Sequence, residues 1–377
     1  MMRFASLFTG IGGFELGLAD SGFEPSLLCE IDPIAQAVLR ARFPAVELAA
    51  DVTELERLPA GTDLVTAGFP CQDLSSSGPK GGIDGLRSGL IGEVFRLLES
   101  SRPRWVLIEN VHFMLHLSKG SAIAQIVNSL EALGYSWAYR VLDSQGFGLP
   151  QRRRRVFVLA SLDGDPRDVL LADQGSFKAS APSLEKPIGF YWTEGTYATG
   201  LAGDAVPPLK GGSTIGIPSP PAILLPEGLV GMPHVEDAEA LQGFPRGWSI
   251  AAETAGKASY RWKLIGNAVP VNVARWVGSK LQVPGLYDSS GDVPLDPKVP
   301  WPHAAWGRSG ERYRSDVSHY PRDARSPSLA ALLRHDLRPL SVRAASGFLT
   351  RARKGRLRFP PGFLESVERH LELTTSK

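Results

Sequence analysis

Short, almost unbroken apolar runs alternate with helical patterns through residues 1–160, and this rhythm restricts the fold more than any other feature. The strand candidates are Arg3–Phe8, Ser26–Glu30, Val46–Ala50, Asp63–Ala67, Trp105–Glu109, Trp137–Leu142 and Val156–Ser161. Helical spacing marks Glu15–Asp20, Pro33–Arg42, Leu90–Glu99 and Ala122–Leu133. A strand that is apolar at successive positions has no face for solvent, so helices must cover both sides of its sheet. Strand and helix in alternation predict a doubly wound, mostly parallel α/β sheet. Such sheets bind ligands at the carboxyl ends of their strands.

Those ends carry the chemistry. Leu64–Ala67 runs into Gly68-Phe69-Pro70-Cys71-Gln72-Asp73-Leu74-Ser75, which holds one thiol at the tip of a tight turn. The chain has two cysteines, Cys29 and Cys71, too few for a disulfide framework. A thiol at a strand end is a candidate nucleophile, and it acts as the thiolate. Phe8-Thr9-Gly10-Ile11-Gly12-Gly13-Phe14 follows the first strand and opens a helix, as a ligand-approaching glycine turn does. Glu30 and Asp51 end the next two strands. They suit the ribose hydroxyls and the adenine amine of a nucleoside-containing cofactor. The lysine-bearing phosphate loop and the G-x-G-x-x-G spacing are both absent. Glu109 ends the fifth strand beside the cysteine turn. In Gln151-Arg152-Arg153-Arg154-Arg155-Val156, alternate residues share a face, so Arg153 and Arg155 point one way and Arg152 and Arg154 the other.

Composition changes near Ser161. Residues 182–233 hold nine prolines and nine glycines, which predicts loops and short strands in an irregular second domain. Regular structure returns at Asp237–Leu241 and over Lys263–Leu281. Residues 285–300 read as a linker, and Leu329–Leu333 and Pro361–Leu371 as a small helical addition. Net charge is +2, but unevenly spread. Residues 1–284 carry 25 basic and 29 acidic side chains, whereas residues 285–377 carry 16 and 10. A local basic excess suits a polyanion. Its densest run is Arg351–Arg358, which either grips a polyanion or is the solvated face of a packed appendage. No apolar run approaches the roughly 20 residues that span a bilayer.

Seven strings occur in the order of one family: Phe8–Gly17, Glu30, Gly68–Ser75, Glu109–Val111, Gln151–Phe157, Leu241–Pro245 and Gly266–Pro270. On these the chain resembles the bacterial DNA (cytosine-5) methyltransferases. The resemblance implies a Rossmann-like methyltransferase sheet, with residues 1–161 as catalytic and cofactor-binding domain and 162–258 as target-recognition domain. Residues 259–284 would return a helix to the first domain, and 285–377 would form a basic C-terminal extension. It implies S-adenosylmethionine as cofactor and double-stranded DNA as partner. Cys71 would attack carbon 6 of a flipped cytosine. Glu109 would hold ring nitrogen 3 and the amine, and Arg155, helped by Arg153, the ring carbonyl. Cofactor contacts fall on Phe8, Gly10, Ile11, Gly12, Gly13, Glu30, Ile31, Asp51, Val52, Pro70, Asn267 and Ala268. Ile31 stands where relatives often have an aromatic residue. Gln72, Ser75, Ser77, Lys80 and Arg87 would meet DNA from a polar loop over Ser75–Gly89. The further expectations are no metal, no membrane, a monomer in the bacterial cytoplasm, on the nucleoid when bound to DNA, and a restriction or defence-system partner. A transfer RNA methyltransferase and a catalytically silent DNA-binding subunit are the alternatives.

Overall fold

In the computed structural model, residues 2–70, 89–210, 220–324 and 326–375 are described. The central sheet has ten strands in the order β12-β14-β13-β6-β7-β5-β4-β1-β2-β3. β1 (Met2–Leu7), β2 (Phe23–Cys29), β3 (Leu48–Ala49), β4 (Leu64–Ala67) and β5 (Trp105–Val111) pair in parallel. β7 (Arg154–Ser161) reverses that direction, and β6 (Ser136–Asp143) on its far side runs the same way as β1–β5. β7 runs antiparallel to both β5 and β6. Parallel pairing needs a crossover of a dozen or more residues, usually a helix. The short stretch between β6 and β7 holds only one turn of 3₁₀ helix, Ser144–Phe147, so the two strands fold back as a hairpin.

Helices cover both faces. α1 (Gly13–Ala19) and α2 (Pro33–Arg42) follow the first two strands. Asp32 caps α2 by accepting from the Ile34 amide at 3.0 Å, with Pro33 pre-setting the first turn. α3 (Leu90–Ser101) and α4 (Ser121–Ala132) put Ile91, Val94, Leu97, Leu98, Ile123, Ile126, Val127 and Leu130 against one face of the sheet. That spacing of three and four residues gives each helix one apolar stripe. A short α5 (Pro166–Leu170) precedes the second unit.

The second unit is a five-stranded sheet in the order β15-β11-β10-β8-β9. It is built from β8 (Ile188–Phe190), β9 (Ala202–Gly203), β10 (Ala222–Leu224) and β11 (Val230–Met232). α6 (Val235–Leu241), α7 (Tyr260–Asn267) and α8 (Val271–Gln282) follow, and α8 returns to the main sheet beside α1.

The last ninety residues are more than a helical addition. β12 (Val293–Pro294), β13 (Ala304–Arg308) and β14 (Glu311–Arg314) extend the main sheet, with β13 antiparallel to β6. The chain then crosses over through α9 (Leu329–Leu332). β15 (Arg338–Pro339) pairs with β11, and α10 (Val342–Lys354) and α11 (Phe363–Thr375) pack on the smaller sheet. Phe190 lies 4.9 Å from the Phe348 ring and 5.2 Å from Phe363. Arg140, fully buried in β6, donates to the carbonyls of Leu170, Asp173 and Ser318. The basic run forms the last turn of α10 and the residues after it. Arg351 donates to the Trp192 and Glu194 carbonyls, and Arg353 pairs with Glu368.

Candidate active site

Glu109 and Arg155 meet at the carboxyl end of β5. In the antiparallel register Glu109 faces Phe157 and Val111 faces Arg155. This places Arg155 Nε 3.1 Å from Glu109 Oε1. Contact at that separation lacks hydrogen-bond alignment, so Glu109 Oε1 has charge compensation and no hydrogen-bond partner among the described residues. Burial raises the Glu109 carboxyl above its usual range, opposed by the positive charges of Arg155 and Arg153. A buried carboxyl with a spare acceptor, held by a guanidinium, suits a planar polar ligand.

The next residue joins this carboxyl to the cysteine turn. Asn110 Nδ2 donates to the Phe69 carbonyl at 3.1 Å, two residues before Cys71. Phe69 in turn packs edge-on against Phe8, with ring centroids 6.3 Å apart. Gly68 passes so close that a Cβ there would lie 3.8 Å from Glu109 Oε2. The segment leading to Cys71 is thus fixed against both Glu109 and the glycine turn. Cys71, Gln72, Ser75, Ser77, Lys80 and Arg87 lie outside the described residues. Cys29 is buried, and burial, then the charges of Glu30 and Asp51, push its thiol up to about 12. It is a packing residue of β2, not a second nucleophile.

Arg153 shares the face of Arg155 but is fully buried. Its Nη2 donates to the carbonyls of Gly266 and Ala268 at 3.0 and 2.9 Å. Gln151 donates to the Leu241 carbonyl at 3.0 Å and to Gln242 Oε1 at 2.6 Å. Gln242 Nε2 donates to the Ala268 carbonyl. Three strings far apart in sequence therefore close into one buried polar knot, each partner leaving few groups unpaired. Gln242 in this knot escaped the sequence reading; its only signal was its place inside Leu241–Pro245. Arg154 points the opposite way, to Asp143 at 3.2 Å.

The cofactor candidates gather along the ends of β1, β2 and β3. Both Glu30 oxygens accept backbone amides, from Gly10 at 2.7 Å and Asp32 at 2.8 Å. Gly10 has φ +60° and open space where a side chain would stand. Gly12 and Gly13 serve packing instead. A Cβ on Gly12 would strike the Phe43 ring at 2.6 Å, and one on Gly13 the Val269 carbonyl at 2.6 Å. Phe8 takes φ +58°, a strained conformation for a non-glycine residue. Ile31, 69 % exposed, offers an aliphatic face beside Glu30. Asp51 Oδ1 accepts from the Thr53 amide and hydroxyl, which hold its carboxyl below the usual range and so charged. Val52 is buried in the core, Pro70 and Asn267 are exposed, and Ala268 is buried with its carbonyl in the knot. An open glycine backbone, two carboxylates and one exposed aliphatic face fit a nucleoside with an amino acid tail.

Trp248 was not anticipated from sequence. Its indole Nε1 donates to the Ile11 carbonyl at 2.7 Å, and the Arg42 guanidinium lies 4.7 Å over its ring. It holds the glycine turn from outside. Trp248→Phe keeps an aromatic ring, though a smaller one, and removes this bond, which contributes about 1 kcal/mol. The expected result is a KM for the nucleoside cofactor that the resemblance implies raised ~5-fold with kcat little changed, read from initial rates with the second substrate saturating.

Fold and site together give an α/β sheet whose carboxyl end gathers an open glycine turn, two carboxylates and a buried acid–arginine pair beside the segment that leads to Cys71. The family model for C-5 cytosine-specific DNA methylases matches residues 2–193. Type II methyltransferase M2.BsuMI of Bacillus subtilis (strain 168) is 47% identical over 382 residues, covering 98% of each chain. Type II methyltransferase M.BanI of Aneurinibacillus aneurinilyticus is 36% identical over 181 residues, 46% of this chain and 42% of that one. Among solved structures, the S. pombe Dnmt2 methyltransferase shares the fold, with TM-score 0.54 and 18% identity over 74% of this chain and 98% of that one. The chain belongs to the C-5 cytosine-specific DNA methylases. It is a DNA (cytosine-5) methyltransferase, and its methyl donor is S-adenosylmethionine.

Proposed function

We propose that the reaction takes place between the Pro70-Cys71 turn and Glu109, on a cytosine extruded from one particular duplex sequence. The observation that carries this reading is the bond from Asn110 Nδ2 to the Phe69 carbonyl. It ties Phe69, two residues before Cys71, to the strand that holds Glu109. Carbon 5 of cytosine lies inside the stack of a duplex, so the base must be swung out to be reached.

Cys71, as thiolate, adds to carbon 6 and makes carbon 5 electron-rich. Glu109 bonds ring nitrogen 3 and the exocyclic amine, where charge develops. Arg155 fixes the Glu109 carboxylate and reaches for the ring carbonyl. Arg153 acts one step back, holding the Gly266–Ala268 turn in place beneath the site. Once carbon 5 carries its methyl group, loss of the carbon 5 proton restores the ring double bond and expels the thiolate. Glu30, Asp51, Ile31 and the Gly10 backbone hold S-adenosylmethionine, which supplies an electrophilic methyl group when bound. Gln72, Ser75, Ser77, Lys80 and Arg87 contact the DNA, and residues 162–258 read its sequence.

The curated relatives carry the name Type II methyltransferase, which supports a role beside a restriction or defence partner. No helix among the described residues is long and apolar enough to cross a membrane. The proposed site of action is the nucleoid in the cytoplasm, with the protein acting as a monomer. Bisulfite sequencing of DNA from cells expressing the chain tests the reading. Protected cytosines in one recurring duplex context are expected. Protection scattered over all contexts, or none with folded protein present, counts against a sequence-specific mark.

A further inference from the structure

Away from the reacting base, three side chains converge where α6 begins. His234 and Glu236 flank Val235, and His335 reaches them from the segment that follows α9. One ligand atom of each lies within 4.8 Å of the other two. His335 Nε2 stands 3.7 Å from Glu236 Oε2, close to the ~3.3 Å edge of a tetrahedron with bonds of about 2.0–2.1 Å. The two imidazoles stack with centroids 4.2 Å apart.

A second observation sets the direction of the His335 ring. Asp237, whose side chain is fully buried, lies with Oδ2 3.1 Å from His335 Nδ1. The same carboxylate accepts the Arg334 and His335 amides and the Arg246 guanidinium. Its position is therefore fixed, and it requires a proton on Nδ1. Nε2 is the nitrogen that faces Glu236, 3.7 Å from Oε2. A buried carboxylate that holds one imidazole nitrogen so that the other can ligate is the usual outer support of a metal-bound histidine.

We propose that His234, Glu236 and His335 bind one divalent transition-metal ion of the zinc type. Two imidazoles and one carboxylate are the ligand set zinc accepts, with a fourth position left to water. This departs from the sequence expectation of no metal. His234 Nδ1 accepts the Glu236 amide at 3.3 Å, which caps the helix and holds this imidazole beside Glu236. The ion acts as a clip. It fastens the chain around His335 to the helix that ends in Leu241 and Gln242, the residues of the buried knot.

The test uses the full-length protein stripped with a chelator and titrated with zinc chloride alone by calorimetry. One equivalent is expected to bind, and cobalt(II) in its place should give visible absorption bands of a site with nitrogen and oxygen ligands. His335→Gln and Glu236→Gln should each weaken binding by ~100-fold or more. Glu236→Gln leaves Asp237 and its bonds intact, so its metal-free melting curve should match that of the unsubstituted protein. Methyl transfer measured with and without chelator should be alike, since no ligand touches the base. Absence of any zinc binding overturns the proposal. So does binding that persists in both variants, which would place the ion elsewhere.

Discussion

Cys71→Ser is expected to lower methyl transfer by on the order of 10³-fold or more, because a serine hydroxyl stays protonated where a cysteine forms thiolate. The substitution changes one atom, so folding and donor binding should stay as they are. Tritium transfer to cognate duplex gives the rate. A cognate oligonucleotide with 5-fluorocytosine at the target gives the covalent step, since fluorine at carbon 5 blocks release of the sulfur. The unsubstituted protein should become cross-linked to it and Cys71→Ser should not. A serine variant that keeps most of its activity would show that carbon 6 is attacked by something else. The structure adds a control. Cys29 is buried with a thiol pushed up to about 12, so Cys29→Ala should leave the cross-link unchanged.

Glu109→Gln is expected to lower kcat by about 10²-fold, the size of one general acid–base contribution. An amide can still donate to ring nitrogen 3 and accept from the amine. What it cannot do is yield a proton. Burial raises the Glu109 carboxyl, so its protonated form persists to higher pH than that of an exposed glutamate. Activity that depends on this proton falls as pH rises through the raised value. The rate of the glutamine variant should lose that limb of its pH profile. If the variant keeps both the rate and the profile, Glu109 only orients the base. Glu109→Ala should be worse than Glu109→Gln, because it also leaves the Arg155 guanidinium without its partner.

Much of this was legible in the sequence because single residues sat at strand ends. The apolar run Trp105–Ile108 could only be a strand covered on both faces, and Glu109 then had to stand at its carboxyl end. The helix Pro33–Arg42 was readable to the residue from its proline start. Direction was less legible. Apolar content cannot tell a parallel from an antiparallel neighbour, and what decides it for β6 and β7 is the short link between them. The β13–β14 hairpin escaped notice for a different reason. Its strands are brief and interrupted by Gly307 and charged residues. The Ser309-Gly310 turn, with φ +53° and +84°, was the available signal, since both positions favour a tight reversal. Partners distant in sequence were the hardest to foresee. Nothing local to Trp248 announces that its indole meets the Ile11 carbonyl, and nothing in the arginine string says that Arg153 is committed to two carbonyls while Arg155 stays beside Glu109.

The crossing of the final ninety residues from one sheet to the other bears on how such enzymes acquire new targets. Phe348 and Phe363 roof the small sheet that residues 188–232 begin. An exchange of residues 162–258 between relatives would therefore bring a foreign floor under a native roof. Chimeras meant to change the methylated sequence should carry the segment from about residue 337 onward along with the insert. Grafts lacking it should express as aggregates with an exposed aromatic seat.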